Sequence, residues 1–368
     1  MRIGVPKEIK RHEYRVAVTP DGARTFGAHG HEVVVQSGAG AGSGYDDEEY
    51  RKHGATIVST AREVFEASDM IVKVKEPLPE EWDLFRKGQI LYTYLHLAAS
   101  AELTKALMER GVAGVAYETI ELADKSLPCL TPMSEIAGRL SVQEGAKFLE
   151  KAYGGRGILL GGVPGVPRGN VGIIGGGIVG TNACKIAAGI GANVTILDIN
   201  ARRLAYLDDI FGSRITTLYA TEGNVDMILR EADIVIGAVL LPGEAAPKLI
   251  KREHLSLMKT GAVLVDVAID QGGCAETSKP TTHDEPIYLV DGVVHYCVAN
   301  MPGAVAYSST LALTSVTLNY GVVIADLGLA EAARQHEPIR KGVNIIDETC
   351  AHPGVARACG VPYTEYRP

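Results

Sequence analysis

The chain has 368 residues, 46% of them hydrophobic and 22% charged, with a formal net charge of -8. That length suggests two domains, each large enough for its own core, in an ordinary globular protein. The acidic balance and the lack of any Lys/Arg run argue against a nucleic-acid partner.

The first part of the chain alternates strand and helix patterns. RIGVP reads as a strand, and Thr19 before Pro20 reads as an N-cap and first helical residue. HEVVVQ is the next strand. GAGAGSG (Gly38 to Gly44) follows it and resembles a phosphate loop, but Asp46, Asp47, Glu48 and Glu49 open the helix behind it. Four carboxylates there favour the helix dipole and repel a phosphate, so a structural loop is expected. ATIV, DMIVKV and ILYTYLHL are further strands, and the alternation predicts a parallel sheet with crossover helices. Ser134 to Tyr153 reads as one long helix with Ser134 as N-cap, followed by a hairpin-like connection, GGRGILLGGVPGVPRG.

The α/β pattern then restarts with VGII, NVTILD, RITTLY, DIVIGAV, AVLVDVA and VVHYCVA, enough strands for a complete dinucleotide-binding unit. After Pro302 a second long helix is expected in GAVAYSSTLALTSVTLNYGVVIADLG. The tail, Ala330 to Pro368, is too short to be a domain and must pack on one. The fold class expected is α/β, with two Rossmann-like doubly wound domains joined by two long helices. One domain, 129–307, is inserted into a discontinuous one, 1–128 and 308–368. A cleft between domains is the expected ligand site.

VGIIGGGIVG, Val171 to Gly180, carries the strongest signal. A buried strand breaks into Gly175, Gly177 and Gly180 at the G-x-G-x-x-G spacing, a helix follows, and a second strand ends at Asp198. Gly175 permits the tight turn, Gly177 admits a pyrophosphate, and Gly180 lets helix and strand pack closely. The N-terminus of the helix that follows offers N–H groups to phosphate. Asp198 suits the ribose hydroxyls of NAD and repels the 2′-phosphate of NADP. The glycines alone are a weak signal and a merely structural turn is the alternative; the whole register makes it strong.

Open α/β sheets bind ligands beyond the carboxyl ends of their strands. Those ends offer Val239 and Leu240, then Asp270, then Asn300 and Met301. Asp270 alone can ionise and is expected beside the nicotinamide; its bland reading is a cap or turn residue before Gly272 and Gly273. In the first part Lys75 closes DMIVKVK and His96 closes LYTYLHL, while Arg15 lies in the loop after the first strand. A core histidine and a solvated basic loop are the plain alternatives. Together Arg15 and Lys75 suit a carboxylate, and His96 suits proton transfer near neutrality.

The segments MRIGVPKEIKRHEYRVAVTP, IVKVKEP, LYTYLHLA, TPMSEIAGRLSVQEGAKFLEK, VGIIGGGIVGTNA and VDVAIDQGG resemble bacterial L-alanine dehydrogenases, within the alanine dehydrogenase/pyridine nucleotide transhydrogenase superfamily. The likeness covers essentially the whole chain. It implies reversible oxidative deamination of L-alanine by NAD to pyruvate and ammonium. It implies His96 as acid/base and Asp270 as second catalytic residue, with Arg15 and Lys75 on the substrate. Tyr94, Met133 and Asn300 would complete the substrate site. The cofactor positions implied are Ser134, Gly175, Gly177, Ile178, Val179, Gly180, Asp198, Arg203, Val239, Leu240, Val267, Ala268, Ile269, Lys279, Val298 and Met301. At Ala220 some members carry a hydroxyl residue that is missing here. Some members bind a metal through Glu and His in the late helix, but YGVVIADLGLA has no such pair and no metal is expected. The family resemblance also implies a homohexamer.

MRIGVPKEIK lacks the apolar core of a signal peptide, and no apolar stretch free of charge and Pro is expected to reach bilayer length. The six scattered cysteines suit a reduced cytoplasmic enzyme. Two alternatives stand beside the dehydrogenase. One is a hydride-relay component of a membrane transhydrogenase, which needs no substrate acid/base. The other is a dehydrogenase for a bulkier amino acid, such as saccharopine or a lysine derivative.

Overall fold

The computed structural model describes residues 1–239 and 246–368. The chain forms two compact units, Met1–Met133 with Gly303–Pro368, and Ser134–Pro302.

In the first unit six parallel strands, Arg2–Val5, Glu32–Gln36, Thr56–Val58, Met70–Val72, Ile90–Thr93 and Ala113–Ala116, lie in the order 3-2-1-4-5-6. The tail extends this sheet: Val343–Ile346 pairs antiparallel with Ala113–Ala116, and Thr349–Cys350 lies outside it. Apolar residues of the strands and crossover helices, among them Phe65, Ile71, Leu91, Leu107 and Ile345, share one core. Thr19 caps the helix Pro20–Ala28 as its sequence predicts, its side chain accepting from the Gly22 N–H. The glycine-rich loop at Gly38 to Gly44 is structural: Asp47 takes the Gly38 N–H at 2.8 Å and the Ser37 hydroxyl at 2.6 Å.

The second unit repeats the order. Asn170–Ile174, Asn193–Asp198, Thr216–Tyr219, Ile234–Gly237, Val263–Asp266 and Val293–Tyr296 are parallel in the order 3-2-1-4-5-6. The strand Ile287–Val290, which the sequence reading lacked, adds antiparallel to the last. Each sheet thus reverses direction beside its first strand. Such a switch point opens a crevice at the carboxyl ends, where a ligand can enter.

Three expectations need correction. The long helix is Thr131–Phe148, so Ser134 lies in its first turn and does not cap it. Pro132 is tolerated in an opening turn, which lets the helix begin earlier. At the other end, Gly155 packs its backbone on Phe148 and Leu149 with no room for a Cβ, and a separate 3-10 turn forms at Lys151–Tyr153.

The strands that carry the candidate residues are also shorter than their apolar runs. They stop at Val72, Thr93 and Asp266, so Lys75, His96 and Asp270 each stand three or four residues beyond a strand end.

Finally, Met301–Leu327 is long and apolar enough to cross a membrane by length and composition. Its helix Ala306–Leu327 instead serves the first unit's core. Thr310, Leu313, Thr317 and Ile324 are buried, and the Tyr92 hydroxyl donates to the Thr317 carbonyl at 2.9 Å. Its hydroxyls turn back on the helix: Thr314 donates to the Thr310 carbonyl and Thr317 to the Leu313 carbonyl.

Candidate active site

In the second unit the chain leaves the strand Asn170–Ile174 through three glycines with distinct duties. Gly175 has φ +105°, and a Cβ there would sit 2.6 Å from the Ala238 carbonyl oxygen. A Cβ on Gly180 would collide with the Gly175 carbonyl oxygen. Gly177, by contrast, has nothing within 4 Å of its Cβ position. It is the N-cap of the helix Ile178–Ile190 and supplies no side chain to that helix's N–H groups. Open space in front of uncapped N–H groups is the cradle a pyrophosphate fits.

Asp198, at the end of the second strand, grips this loop. Its Oδ2 accepts from the Gly176 N–H at 2.7 Å and its Oδ1 from the Asn200 N–H at 2.7 Å. Arg203 reaches back to donate to the Gly176 carbonyl and, at 2.6 Å, to the Thr181 hydroxyl. Gly138, which the sequence reading passed over, lets the helix Thr131–Phe148 approach so closely that a Cβ would strike the Val179 carbonyl.

Val267, Ala268, Ile269 and Asp270 form a 3-10 turn, Val267–Gln271. The capping role belongs to Asp266, a buried residue the sequence reading missed. Its carboxylate accepts from the N–H groups of Ala268 and Cys274 and from the Ser278 hydroxyl. Asp266 bends the chain and leaves Asp270 exposed on the turn. Ile178 is 41% exposed, Val239 and Ser134 are half-buried, and Val298 and Met301 are buried. The Lys279 N–H donates to the Tyr288 hydroxyl at 2.7 Å, and Asn300 has φ +62°. Leu240 lies outside the described residues.

The first unit assembles a second set around its own switch point. Arg15 is 2% exposed; its Nε and Nη2 donate to the Glu13 carboxylate at 2.7 and 2.5 Å, and its Nη1 lies 3.1 Å from the Met133 sulfur. Burial opposes the guanidinium's charge, but the Glu13 hydrogen bonds and charge outweigh it and hold the pKa above the usual arginine value. Lys75 lies in the irregular segment after Val72, where its carbonyl accepts from the Thr93 hydroxyl at 3.1 Å.

His96 stands on a left-handed residue, φ +48°, that the Glu118 carboxylate secures by accepting from its N–H at 2.7 Å. Its side chain is 42% exposed, so it is no core histidine. Its Nδ1 lies 3.0 Å from Glu76 Oε2, and Lys10 Nζ donates to the other Glu76 oxygen. Burial alone would raise the Glu76 pKa. The bonds and charges of His96 and Lys10 prevail and hold it well below the carboxylate range. The Tyr94 ring stacks on the imidazole at 5.8 Å while its hydroxyl donates to the Cys129 carbonyl. Burial raises the Tyr94 pKa beyond any working pH, so it stays a neutral donor.

The geometry therefore offers an open phosphate cradle on one unit, and on the other a buried guanidinium and an oriented imidazole. Two family models match the chain: the alanine dehydrogenase/PNT N-terminal domain over residues 4–137, and its C-terminal domain over residues 141–353. An alanine dehydrogenase of Methanococcus maripaludis is 56% identical over 365 residues, covering 99% of this chain and 98% of that protein. One from Geobacillus stearothermophilus is 55% identical over 367 residues, with the same coverage. A solved L-alanine dehydrogenase superposes with a TM-score of 0.95 at 52% identity, covering 97% of this chain and 99% of that one. A transhydrogenase from Sinorhizobium meliloti shares the fold at TM-score 0.82 and 24% identity, over 96% of this chain and 99% of its own.

Proposed function

Because the chain belongs to the alanine dehydrogenase family, we infer that it catalyses the reversible oxidative deamination of L-alanine to pyruvate and ammonium. It is an amino-acid dehydrogenase that works with a nicotinamide cofactor on small-molecule substrates. The observation that carries this is identity above half across the whole length of named alanine dehydrogenases. The hydride-relay alternative is not favoured, since the transhydrogenase likeness is one of fold alone.

The cofactor is assigned as NAD. A carboxylate at Asp198 suits the ribose hydroxyls of NAD and repels a 2′-phosphate. The open cradle at Gly177 supports a dinucleotide, and the Asp198 carboxylate stands beside it, accepting from Gly176. The residues that would hold it are Ser134, Gly175, Gly177, Ile178, Val179, Gly180, Asp198, Arg203, Val239, Leu240, Val267 to Ile269, Lys279, Val298 and Met301. When bound, the nicotinamide supplies a two-electron hydride acceptor and donor.

The remaining chemistry falls to the chain's own side chains. Arg15 and Lys75 bind the alanine carboxylate, Tyr94 and Met133 line the pocket for the methyl group, and Asn300 completes the substrate site. Oxidation at Cα leaves an iminium; water adds, and the carbinolamine releases ammonia, so each stage moves a proton. His96 takes and returns those protons, its Nδ1 being held by Glu76. Asp270 assists the water that adds to the iminium. By family resemblance the protein is a homohexamer, and six buried free thiols suit a reducing cytoplasm.

The test is NADH formation from a panel of L-amino acids, with NAD and with NADP. Alanine with NAD is expected to dominate, and equal rates with NADP would remove the role of Asp198. His96→Ala and Asp270→Asn should each cost on the order of a hundredfold or more in kcat while NADH still binds. Near-normal turnover in either would take that residue out of the mechanism.

A further inference from the structure

Lys73 is wholly buried, and its ammonium meets two carboxylates that are almost as buried. Glu8 Oε2 lies at 3.1 Å and Glu81 Oε1 at 2.7 Å. Glu8 comes from the loop after the first strand and Glu81 from the short helix Pro79–Trp82. Two anions and one cation buried together are an expensive way to fill space. Apolar side chains of similar volume often serve stability as well or better.

What an apolar set cannot do is hold backbone. Glu8 Oε1 accepts from the Val74 N–H at 2.6 Å and reaches the Lys75 N–H at 3.4 Å. Glu81 Oε2 accepts from the Leu78 N–H at 2.9 Å. The segment between, Lys73 to Leu78, has no helix or strand of its own, yet it leaves the sheet at the switch point and carries Lys75 and Glu76. Around it the Lys73 N–H donates to Tyr92, and the carbonyls of Lys75 and Pro77 accept from Thr93 and Trp82. Side-chain carboxylates have taken over the work a strand ladder does elsewhere.

On the functional reading above, we propose that Glu8, Lys73 and Glu81 are positioning residues for the deamination: a buried triad that fixes the segment 73–78, and so places Lys75 and Glu76, without touching substrate. Lys73, charged and central, orients both carboxylates; each carboxylate then spends its second oxygen on main-chain N–H groups of the segment. Displacing that segment by about 1 Å would misplace Lys75 against its carboxylate and loosen the Glu76 hold on His96. A misplacement of that size costs on the order of a hundredfold.

Glu8→Gln and Glu8→Asp test this in the full-length protein, with wild type in parallel. Kinetics are measured well below each variant's melting midpoint, so that only folded enzyme is compared. The expected result is a rise in KM for both alanine and pyruvate together with a fall in kcat, lowering kcat/KM by on the order of tenfold to a hundredfold. The NADH dissociation constant should stay within about twofold, because those groups belong to the other unit. A role limited to stability would move the melting midpoint and leave KM alone. Lys73→Arg, which keeps the charge, should recover part of the loss seen with Lys73→Met. If either Glu8 variant folds and keeps wild-type KM values, the triad does not position the segment. A wild type that fails to oxidise alanine would instead overturn the functional reading.

Discussion

Glu76 and His96 share a hydrogen bond of 3.0 Å between a carboxylate oxygen and the imidazole Nδ1. Lys10 engages the other Glu76 oxygen, so the carboxylate is fixed from both sides and fixes the ring in turn. A carboxylate on one ring nitrogen assigns the proton there when the ring is neutral and leaves Nε2 as the basic atom.

Glu76→Gln should therefore lower kcat more than it alters cofactor binding. The amide can present its NH2 group to Nδ1 and select the wrong tautomer. A fall on the order of a hundredfold in kcat is expected, with the NADH dissociation constant unchanged. Steady-state kinetics and fluorescence titration with NADH check both halves. An unchanged kcat would mean that His96 needs no orienting partner.

The same pair predicts an acid-sensitive contribution to stability. The folded pKa of Glu76 lies below its ordinary value of 4.5, so the folded state favours the ionised form. Its contribution is full above about pH 4.5 and is lost as pH falls through the folded pKa. Melting midpoints of wild type and Glu76→Gln should converge as pH drops from 6 to about 3. A gap that stays constant with pH would contradict this.

Gly180→Ala places a methyl group against the Gly175 carbonyl oxygen, an atom that cannot retreat without opening the turn. Overpacking of this kind costs about 1–3 kcal/mol or more. Thermal unfolding should show it, and NADH affinity should fall at least tenfold if the turn cradles the phosphates as proposed. Gly177→Ala meets no protein atom. It should leave the melting midpoint alone and weaken NADH binding only.

All six cysteines are buried and free. Burial raises the thiol pKa of Cys129 and Cys184 to about 12, far from the thiolate form that reacts. Native protein should thus react only slowly with a disulfide reagent at pH 8, whereas unfolded protein titrates six thiols. Rapid modification of a native thiol, with loss of activity, would show that one of these sites opens.

Local pattern made much of this molecule legible. The alternation of apolar runs and helices foretold two parallel sheets, and glycine spacing marked the turn at Gly175. Lys75 and His96 stood out because ionisable residues at the ends of apolar runs are conspicuous, and Arg15 because it lies in the loop after the first strand. Their partners did not. Glu118 and Glu76 reach His96 across 22 and 20 residues, and no periodicity links a side chain to a carboxylate that far away. Strand ends were misread for a related reason. DMIVKVK looks like one strand, but Lys73 turns inward to Glu8 and Glu81, which ends the ladder early. Asp266 hid in an apolar run for the opposite reason: its carboxylate is consumed by nearby N–H groups, so it can be buried like its neighbours.

Redesign of the coenzyme preference meets an obstacle at Asp198. The carboxylate proposed to reject a 2′-phosphate also accepts the Gly176 N–H, so one side chain both discriminates and braces. Exchanging it for a cation would invite NADP and at the same time leave the loop without its acceptor. A workable exchange has to separate the two duties. A short neutral acceptor at position 198 can keep the brace, and the positive charge must come from elsewhere, with Ile199, 72% exposed, the nearest open position.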